Sequence, residues 1–191
     1  HAAAPQYTAD PILIASHIII GLQQIISRNN VPTNPSVLSI TAIHGGNTTN
    51  VIPSEVKLMG TFRAMDEKWR FDAHKLIKNL VEQIAISMGA VAEVTIDVGY
   101  PFVFNDPVVT RQVVKLATEF AGKENVSETE MRMGAEDFAY YSQIVPATFF
   151  RLGTGNKKRE ITAIVHTPIF DVDEDAIEQG MGMMAWLATS L

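Results

Sequence analysis

One arginine in this chain is placed where it could hold a carboxylate. The segment HGGNTTNVIPSEVKLMGTFR runs from His44 to Arg63 and joins a Gly-rich turn, a lone Asn50 and, thirteen residues later, Arg63. Arginine has a permanent charge and a planar fork of N–H donors, which suits it to clamp a carboxylate. Because Arg63 ends an apolar run and lies outside any helical charge run, its position indicates a ligand-binding role.

A histidine near the C-terminus has the surroundings of a metal ligand. His166 opens the stretch HTPIFDVDE, directly after the apolar run 161–165, and Asp171, Asp173 and Glu174 follow closely. A histidine with acidic groups behind it is a common metal-binding arrangement. The alternative is that His166 only caps a turn and that Asp173 caps the last helix. One histidine cannot build a metal site.

Other polar residues carry weaker signals. In MGAEDF, Glu136 and Asp137 stand at a predicted helix start, where negative charge is favoured, so capping explains them. Glu136 could instead line a cleft. His44 precedes a Gly-Gly turn and is interpreted as structural. His1, flanked by small residues, is uninformative as a bare motif.

The elements before Arg63 decide which way it points. Asp10-Pro11 predicts a helix start, and the helix that follows, over 12–26, is apolar almost all round. Such a helix must be covered on more than one side, by a sheet and, we expect, by a second subunit. Strands are predicted over 37–44 and 56–63. In the second, residues alternate so that Arg63 leaves the apolar face.

After Arg63 the pattern predicts a helix and one more strand. Asp66 caps an amphipathic helix that closes at Gly89, and 93–98 alternates like a strand. The order helix, strand, strand, helix, strand favours an α+β two-layer fold, an antiparallel sheet with two helices on one face. A fourth strand just before His1 would complete it.

The order of predicted helices and strands changes at Asn105-Asp106-Pro107, where we place a domain boundary. Beyond it the sequence predicts helices over 106–121, 135–144 and 173–190, with short strands over 128–131 and 147–152. Helices alternating with short apolar strands favour part of an α/β three-layer domain.

The composition restricts which binding partners and which cellular compartment we expect for this chain. The chain has 191 residues, is 47% hydrophobic and carries a net charge of −6. With no basic stripe, this argues against nucleic acid as a partner. The absence of cysteine fits a cytoplasmic location. We expect no membrane association, because the apolar helix is short for a bilayer span and no signal peptide is visible. The start at His1 suggests a piece of a longer polypeptide.

Four blocks taken in order resemble the M20 metallopeptidase family, closest to its amidohydrolase branch. They are HAAAPQYTADP, HGGNTTNVIPSEVKLMGTFR, MGAEDFAYY and HTPIFDVDEDA. That branch includes hippurate hydrolases, N-acyl-amino-acid deacylases and auxin-conjugate hydrolases. The resemblance implies a two-metal catalytic domain interrupted by a lid that dimerises. Residues 1–105 would be the lid without its first strand, and 106–191 the C-terminal part of the catalytic domain.

The resemblance also implies roles for individual residues. His166 matches the metal-ligating histidine, and His1 matches the lid histidine that reaches across the dimer to the developing oxyanion. Asn50 and Arg63 match the lid residues that hold the substrate carboxylate. Family members often have a second histidine where this chain has Gln6, so no role is transferred to that position.

Most residues of the family's catalytic site have no counterpart in this chain. The family's Cys/His/Asp metal motif and Glu-Glu pair would lie upstream, so this segment alone is expected to be inactive. The whole enzyme would use two divalent ions, zinc or manganese, about 3.5–4 Å apart. Its substrate would be an N-acyl amino acid or small peptide, and it would be a homodimer. The alternative is a non-catalytic dimerisation or small-ligand-binding module with the same lid.

Overall fold

In the computed structural model, which describes residues 1–191, the first helix begins at an aspartate cap. The Asp10 carboxylate accepts hydrogen bonds from the N–H groups of Ile12 and Leu13 at 3.0 and 3.3 Å. Helix α1 spans Pro11–Gln24 and continues as a π-helical turn over Ile25–Asn29. Its buried side chains recur at helical spacing along one face, and they are Ile14, Ala15, Ile18, Leu22 and Ile25.

Two antiparallel strands follow and form a hairpin. Strand β1 spans Ser36–His44 and β2 spans Lys57–Ala64, with a register irregularity between Ile40 and Ala42. At that irregularity the backbones approach closely, since a Cβ on Gly60 would lie 2.5 Å from the Ser39 carbonyl oxygen. Only glycine fits there without a shift of the backbone.

Helix α2 completes a two-layer arrangement. It spans Glu67–Ser87, and its Asp66 cap accepts from the Trp69 N–H at 2.6 Å. The buried face of α1 packs on α2, with Gly21 close to Ile84. The inner face of the hairpin packs on the same cluster through Leu38, Ile40, Leu58 and Phe62. The predicted α+β fold, an antiparallel sheet with two helices, is therefore confirmed.

The predicted third strand over 93–98 is wrong. The sheet has two strands, and 93–98 has no regular secondary structure. Val94 and Ile96 are still half-buried while Thr95 and Asp97 are exposed. Alternation thus reports the inward side correctly for Val94 and Ile96, but Val98, predicted on the same face, is 45% exposed. A strand also needs a neighbouring backbone to form a ladder with, and this segment has none here.

The second half of the chain is built from three helices. Helix α3 spans Pro107–Ala121, α4 is the short Ala139–Ser142, and α5 spans Asp175–Ser190. The Asp106 carboxylate caps α3 by accepting from the N–H groups of Val108 and Val109, both at 2.9 Å. Helices α3 and α5 pack together, and the indole Nε1 of Trp186 donates to the Leu116 carbonyl at 3.0 Å.

Three predictions for this half need correction. The strands predicted over 128–131 and 147–152 are absent, and the helix predicted over 135–144 shrinks to α4. Residues 147–152 bond to a loop and not to a strand. The Ala147 carbonyl accepts from the Asp106 N–H at 2.8 Å, and the Asn105 side chain makes two bonds with the Phe149 backbone. An apolar run becomes a strand only beside a second strand.

By its contacts, the chain divides into two compact units. The first contains His1–Phe102 with Met133–Ala135, and the second contains Val103–Arg132 with Glu136–Leu191. The functional division into a lid over 1–105 and a catalytic segment over 106–191 is a proposal, taken up below.

The length of the first helix corrects one sequence argument. Together with its π-helical turn it covers Pro11–Asn29, 19 residues that contain an 18-residue window of mean hydropathy 1.3, which meets the length and composition of a membrane span. Helix length therefore does not exclude a bilayer. A core helix satisfies the same criteria, and one face of this helix lies in the core of the first unit.

Candidate functional site

Arg63 lies on the outward face of the hairpin, near the end of β2. Its side chain is exposed, whereas Leu58 and Phe62 on the opposite face pack against the helices. Its Nη1 donates to the Thr61 hydroxyl and to the Phe62 carbonyl, the latter at 3.1 Å. The remaining N–H donors of the guanidinium make no bond. Strand parity thus frees this side chain, as predicted, and leaves it donors for a ligand.

Asn50 lies in the loop that joins the two strands, and the start of the chain is hydrogen-bonded to it. The Ala2 N–H donates to the Asn50 carbonyl at 3.0 Å. His1 is exposed, and its Nδ1 accepts from the Ala3 N–H at 3.1 Å. The Asn50 side chain is exposed and makes no hydrogen bond. The structure therefore brings His1 and Asn50 into one exposed region.

That region and Arg63 lie at opposite ends of the hairpin. His44 pairs with Lys57 at the loop end, and Val37 pairs with Arg63 at the other. The six residue-to-residue steps from Lys57 to Arg63 span about 20 Å at ~3.4 Å per residue. One chain thus carries the candidate groups as two separate sets, with Arg63 at one end of the hairpin and His1 with Asn50 at the other.

The loop end also contains residues that sequence reasoning set aside. A concavity of about 480 Å³ is lined there by His44, Lys57, Glu55, Thr48 and Val51, among others. Thr48 and Val51 flank Asn50 in the sequence, so the concavity adjoins that residue. The only sequence signal for it was the Gly-Gly turn after His44. We assign it no separate role.

His166 occupies a tight turn in the second unit. Its φ is +67°, in the left-handed region that non-glycine residues seldom adopt. The Thr167 hydroxyl donates to the Ile164 carbonyl at 2.8 Å and the Phe170 N–H donates to the Thr167 carbonyl at 3.1 Å, which close the turn. The imidazole is exposed and makes no hydrogen bond or ion pair. It can therefore act as a free nitrogen donor.

This chain does not gather a metal site by itself. No group of three or more His, Cys, Asp or Glu residues is placed to hold an ion. His166 fits the chemistry of one ligand, and a structural zinc or a two-metal centre needs more donors than one. Glu136, the other candidate, is half-buried, and its carboxylate accepts a long 3.5 Å bond from the Phe138 N–H.

A buried polar cluster, which sequence reasoning missed, lies at the base of the His166 loop. The buried Asp173 accepts from Asn156 Nδ2 and from Arg159 Nη1, both at 2.5 Å. The Asn156 amide is the main cause that holds the pKa of Asp173 below its usual range, with Arg159 and the Asp175 N–H adding to it against the effect of burial. The sequence pointed to Asp173 only as a helix cap or as an acidic neighbour of His166. Its i, i+17 spacing from Asn156 carries no periodic signal, so the contact between them was not predicted.

Comparison with known proteins identifies the family of this chain. The model of peptidase family M20/M25/M40 matches residues 25–190. Thermostable carboxypeptidase 1 of Saccharolobus solfataricus is 38% identical over 190 residues, which are 98% of this chain and 47% of that protein. IAA-amino acid hydrolase ILR1-like 4 of Arabidopsis thaliana is 35% identical over 193 residues, 99% of this chain and 44% of that protein.

A solved structure agrees. The YXEP protein of Bacillus subtilis, described as a dinuclear metal binding peptidase from the M20 family, superposes with a TM-score of 0.71 and 31% identity. It aligns with 94% of this chain and 45% of its own length. This chain thus spans about half the length of the relatives it matches. With the family model covering most of the sequence, the chain belongs to peptidase family M20/M25/M40.

Proposed function

We propose that this chain forms the lid and the C-terminal part of the catalytic domain of a two-metal amidohydrolase or carboxypeptidase. Its substrates would be N-acyl amino acids or small peptides. The names of the relatives, a carboxypeptidase and an indole-3-acetyl (IAA) amino acid hydrolase, support an amide bond beside a free carboxylate as the target. The observation that carries the proposal is the exposed guanidinium of Arg63, whose outward donors suit such a carboxylate.

In this proposal Arg63 orients the substrate. A guanidinium binds a carboxylate through two parallel charge-assisted bonds. This pair of bonds holds the substrate and also fixes the position of the neighbouring amide. Orientation of this kind raises the rate of hydrolysis because the reacting groups are already aligned when the substrate is bound. Asn50 adds an amide donor to the grip, and His1 donates to the developing oxyanion.

The separation of these groups supports a homodimer. An N-acyl amino acid is shorter than the roughly 20 Å between the two ends of β2. One substrate can contact Arg63 and the His1–Asn50 region only if the two sets come from different copies of the chain. The outward face of α1 provides apolar surface for such a contact, since Leu13 is 51% and Ile20 is 72% exposed.

His166 is proposed as one ligand of a pair of divalent ions, zinc or manganese. When bound, two such ions activate a water molecule and polarise the scissile carbonyl. The remaining ligands and the general base are proposed to lie in the half of the relatives that this sequence does not cover. The segment alone is then inactive. The lack of cysteine is consistent with the proposed cytoplasmic location.

The test replaces Arg63 with alanine in the full-length enzyme. We expect kcat/KM to fall about ten- to a hundredfold on substrates with a free carboxylate, the size of a lost hydrogen bond to a charged group. On analogues whose carboxylate is amidated, the loss should be much smaller. Arg63→Lys keeps the charge but loses the fork, so it should recover only part of the activity.

Lys75→Ala is the matched control, because Lys75 is an exposed cation on α2 of the same unit and does not line the concavity beside Asn50. It should leave the ratio between the two substrate types unchanged. Equal losses on both substrates in Arg63→Ala would remove the carboxylate-binding role. No turnover of any acyl amino acid by the full-length protein would instead favour a non-catalytic lid module.

A further inference from the structure

Both ends of the loop that carries His166 are tied to one residue, Asn156. At the first end, the Asn156 N–H donates to the Ile161 carbonyl at 2.8 Å and the Ile161 N–H donates back at 2.9 Å. At the second end, the Asn156 side-chain Nδ2 donates to Asp173 Oδ2 at 2.5 Å. The residues between them, 162–172, form the loop with His166 near its middle.

Asp173 fixes the second end through several further contacts. Its N–H donates to the Thr154 carbonyl at 2.8 Å, and its Oδ1 accepts from Arg159 Nη1. Arg159 also bonds Asp175 at the start of α5, at 2.9 Å. The Asp173 side chain is only 11% exposed. Arg159 and Asp175 are exposed, so the firm point is the Asp173 carboxylate, which would be left buried without a partner if its bonds to Asn156 and Arg159 were broken.

Within the loop, the conformation of His166 requires such support. A left-handed φ in a non-glycine residue costs free energy and persists only when the surrounding structure imposes it. The Thr167 hydroxyl closes the turn locally, but a closed turn on a free loop could still face any direction. The direction of the imidazole depends on where the ends of the loop are held.

We propose that Asn156 and Asp173 are positioning residues for His166, and that their side-chain bond sets the direction in which the imidazole faces its metal ion. This inference rests on the proposed function, in which His166 is a metal ligand. Groups that hydrogen-bond a metal ligand typically change metal affinity by about ten- to a hundredfold when they are removed. Asn156 and Asp173 act on His166 through the ends of its loop, so we take the lower end of that range as the expected effect. Neither residue contacts the ion in this account.

The experiment measures Zn²⁺ affinity of the full-length protein by competition with a chromophoric chelator. Asn156→Ala should weaken Zn²⁺ binding about tenfold. Asn156→Asp should weaken it further, because two carboxylates would then face each other. In the metal-free protein, both variants should speed amide hydrogen exchange across 162–172 specifically, which gives a readout that does not depend on activity.

A swap of the two side-chain types provides the rescue. Asn156→Asp combined with Asp173→Asn reverses the polarity of the amide-to-carboxylate bond. Position 156 can still accept from the Lys158 N–H, and position 173 can still accept from Arg159. Zn²⁺ affinity should therefore return to near that of the unaltered protein. If the swap folds normally but restores nothing, the positioning role is wrong.

Asn105→Ala is the matched control. The Asn105 side chain also joins two segments of the second unit, through bonds to the Phe149 backbone at 3.0 and 2.7 Å. It has no contact with the His166 loop, so Zn²⁺ affinity should be unchanged.

His166→Ala separates this inference from the proposed function. If that variant binds Zn²⁺ as tightly as the unaltered protein, the ligand role of His166 fails and this inference fails with it. If it binds weakly while Asn156→Ala binds normally, only the positioning role is overturned.

Discussion

Arg70 and Glu67, one turn apart on α2, form an ion pair that also holds the end of the first unit. Arg70 Nε and Nη2 both donate to the Glu67 carboxylate. Arg70 Nη1 donates to the Val98 carbonyl at 2.5 Å, and the Phe102 N–H donates to Glu67 Oε1 at 3.1 Å. The Arg70 side chain is 7% exposed. The pair therefore fastens the segment 98–102 to the helix.

Removing one partner of this pair should be costly. Arg70→Ala leaves the Glu67 carboxylate without its cation, and breaking a buried pair typically costs about 3–5 kcal/mol of unfolding free energy. Lys68→Ala on the same helix is the comparison, since Lys68 pairs with Asp72 but is 88% exposed. That variant should leave the unfolding free energy nearly unchanged. Equal effects in urea denaturation would mean that the Arg70 pair contributes no more than a surface pair.

The close approach at Gly60 makes a second prediction. A Cβ there would lie 2.5 Å from the Ser39 carbonyl oxygen and 2.9 Å from Ile40 Cδ1. Backbone cannot yield as a side chain can, so Gly60→Ala should cost about 1–3 kcal/mol. Gly134→Ala, where nothing lies within 4 Å, should be neutral or slightly stabilising in the same thermal melt. A neutral Gly60→Ala would show that the two strands can separate at the irregularity.

His74 should make the first unit less stable below neutral pH. Partial burial, and then the Arg70 cation, lower the pKa of His74 from 6.5, although Glu67 opposes them. The unfolded chain therefore binds a proton more readily than the folded one. Stability should fall as the pH drops through about 6.5 and level off below the folded-state pKa.

The urea midpoint at about pH 7.5 and about pH 5.5 measures this effect. His74→Gln should reduce the difference between the two midpoints. His44→Gln, at an exposed position, should not. An unchanged difference in His74→Gln would assign the pH dependence to other groups.

The proposed dimerisation through α1 predicts that the mass in solution will change when the contact is disrupted. Ile20 is 72% exposed on the outward face of α1, and a charge placed there would be buried in a dimer contact. Ile20→Glu should therefore give a monomer by light scattering, with the helical signal retained. Val91→Glu, at a loop position that is 94% exposed, should leave the dimer intact. A dimer that survives Ile20→Glu would exclude this face as the contact.

Local chemistry explains which elements could be predicted. Asp10, Asp66 and Asp106 each cap the helix that sequence reasoning placed after them, because an Asx cap acts on N–H groups only two or three residues away. The outward direction of Arg63 followed from strand parity alone. By contrast, the strand predicted over 93–98 failed because a strand depends on a partner that its own residues do not encode.

The features of the candidate site also separate into those that the sequence predicts and those that depend on the tertiary structure. The sequence by itself determined the family resemblance, the starts of the three aspartate-capped helices and the residue types that could bind a carboxylate or a metal ion, since these depend on residue identity and short spacing. Only the tertiary structure decided that His1 lies with Asn50 and away from Arg63, and that Asn156 ties both ends of the His166 loop. Those contacts join residues that are far apart in the sequence, and a short sequence pattern does not show which distant residues will meet.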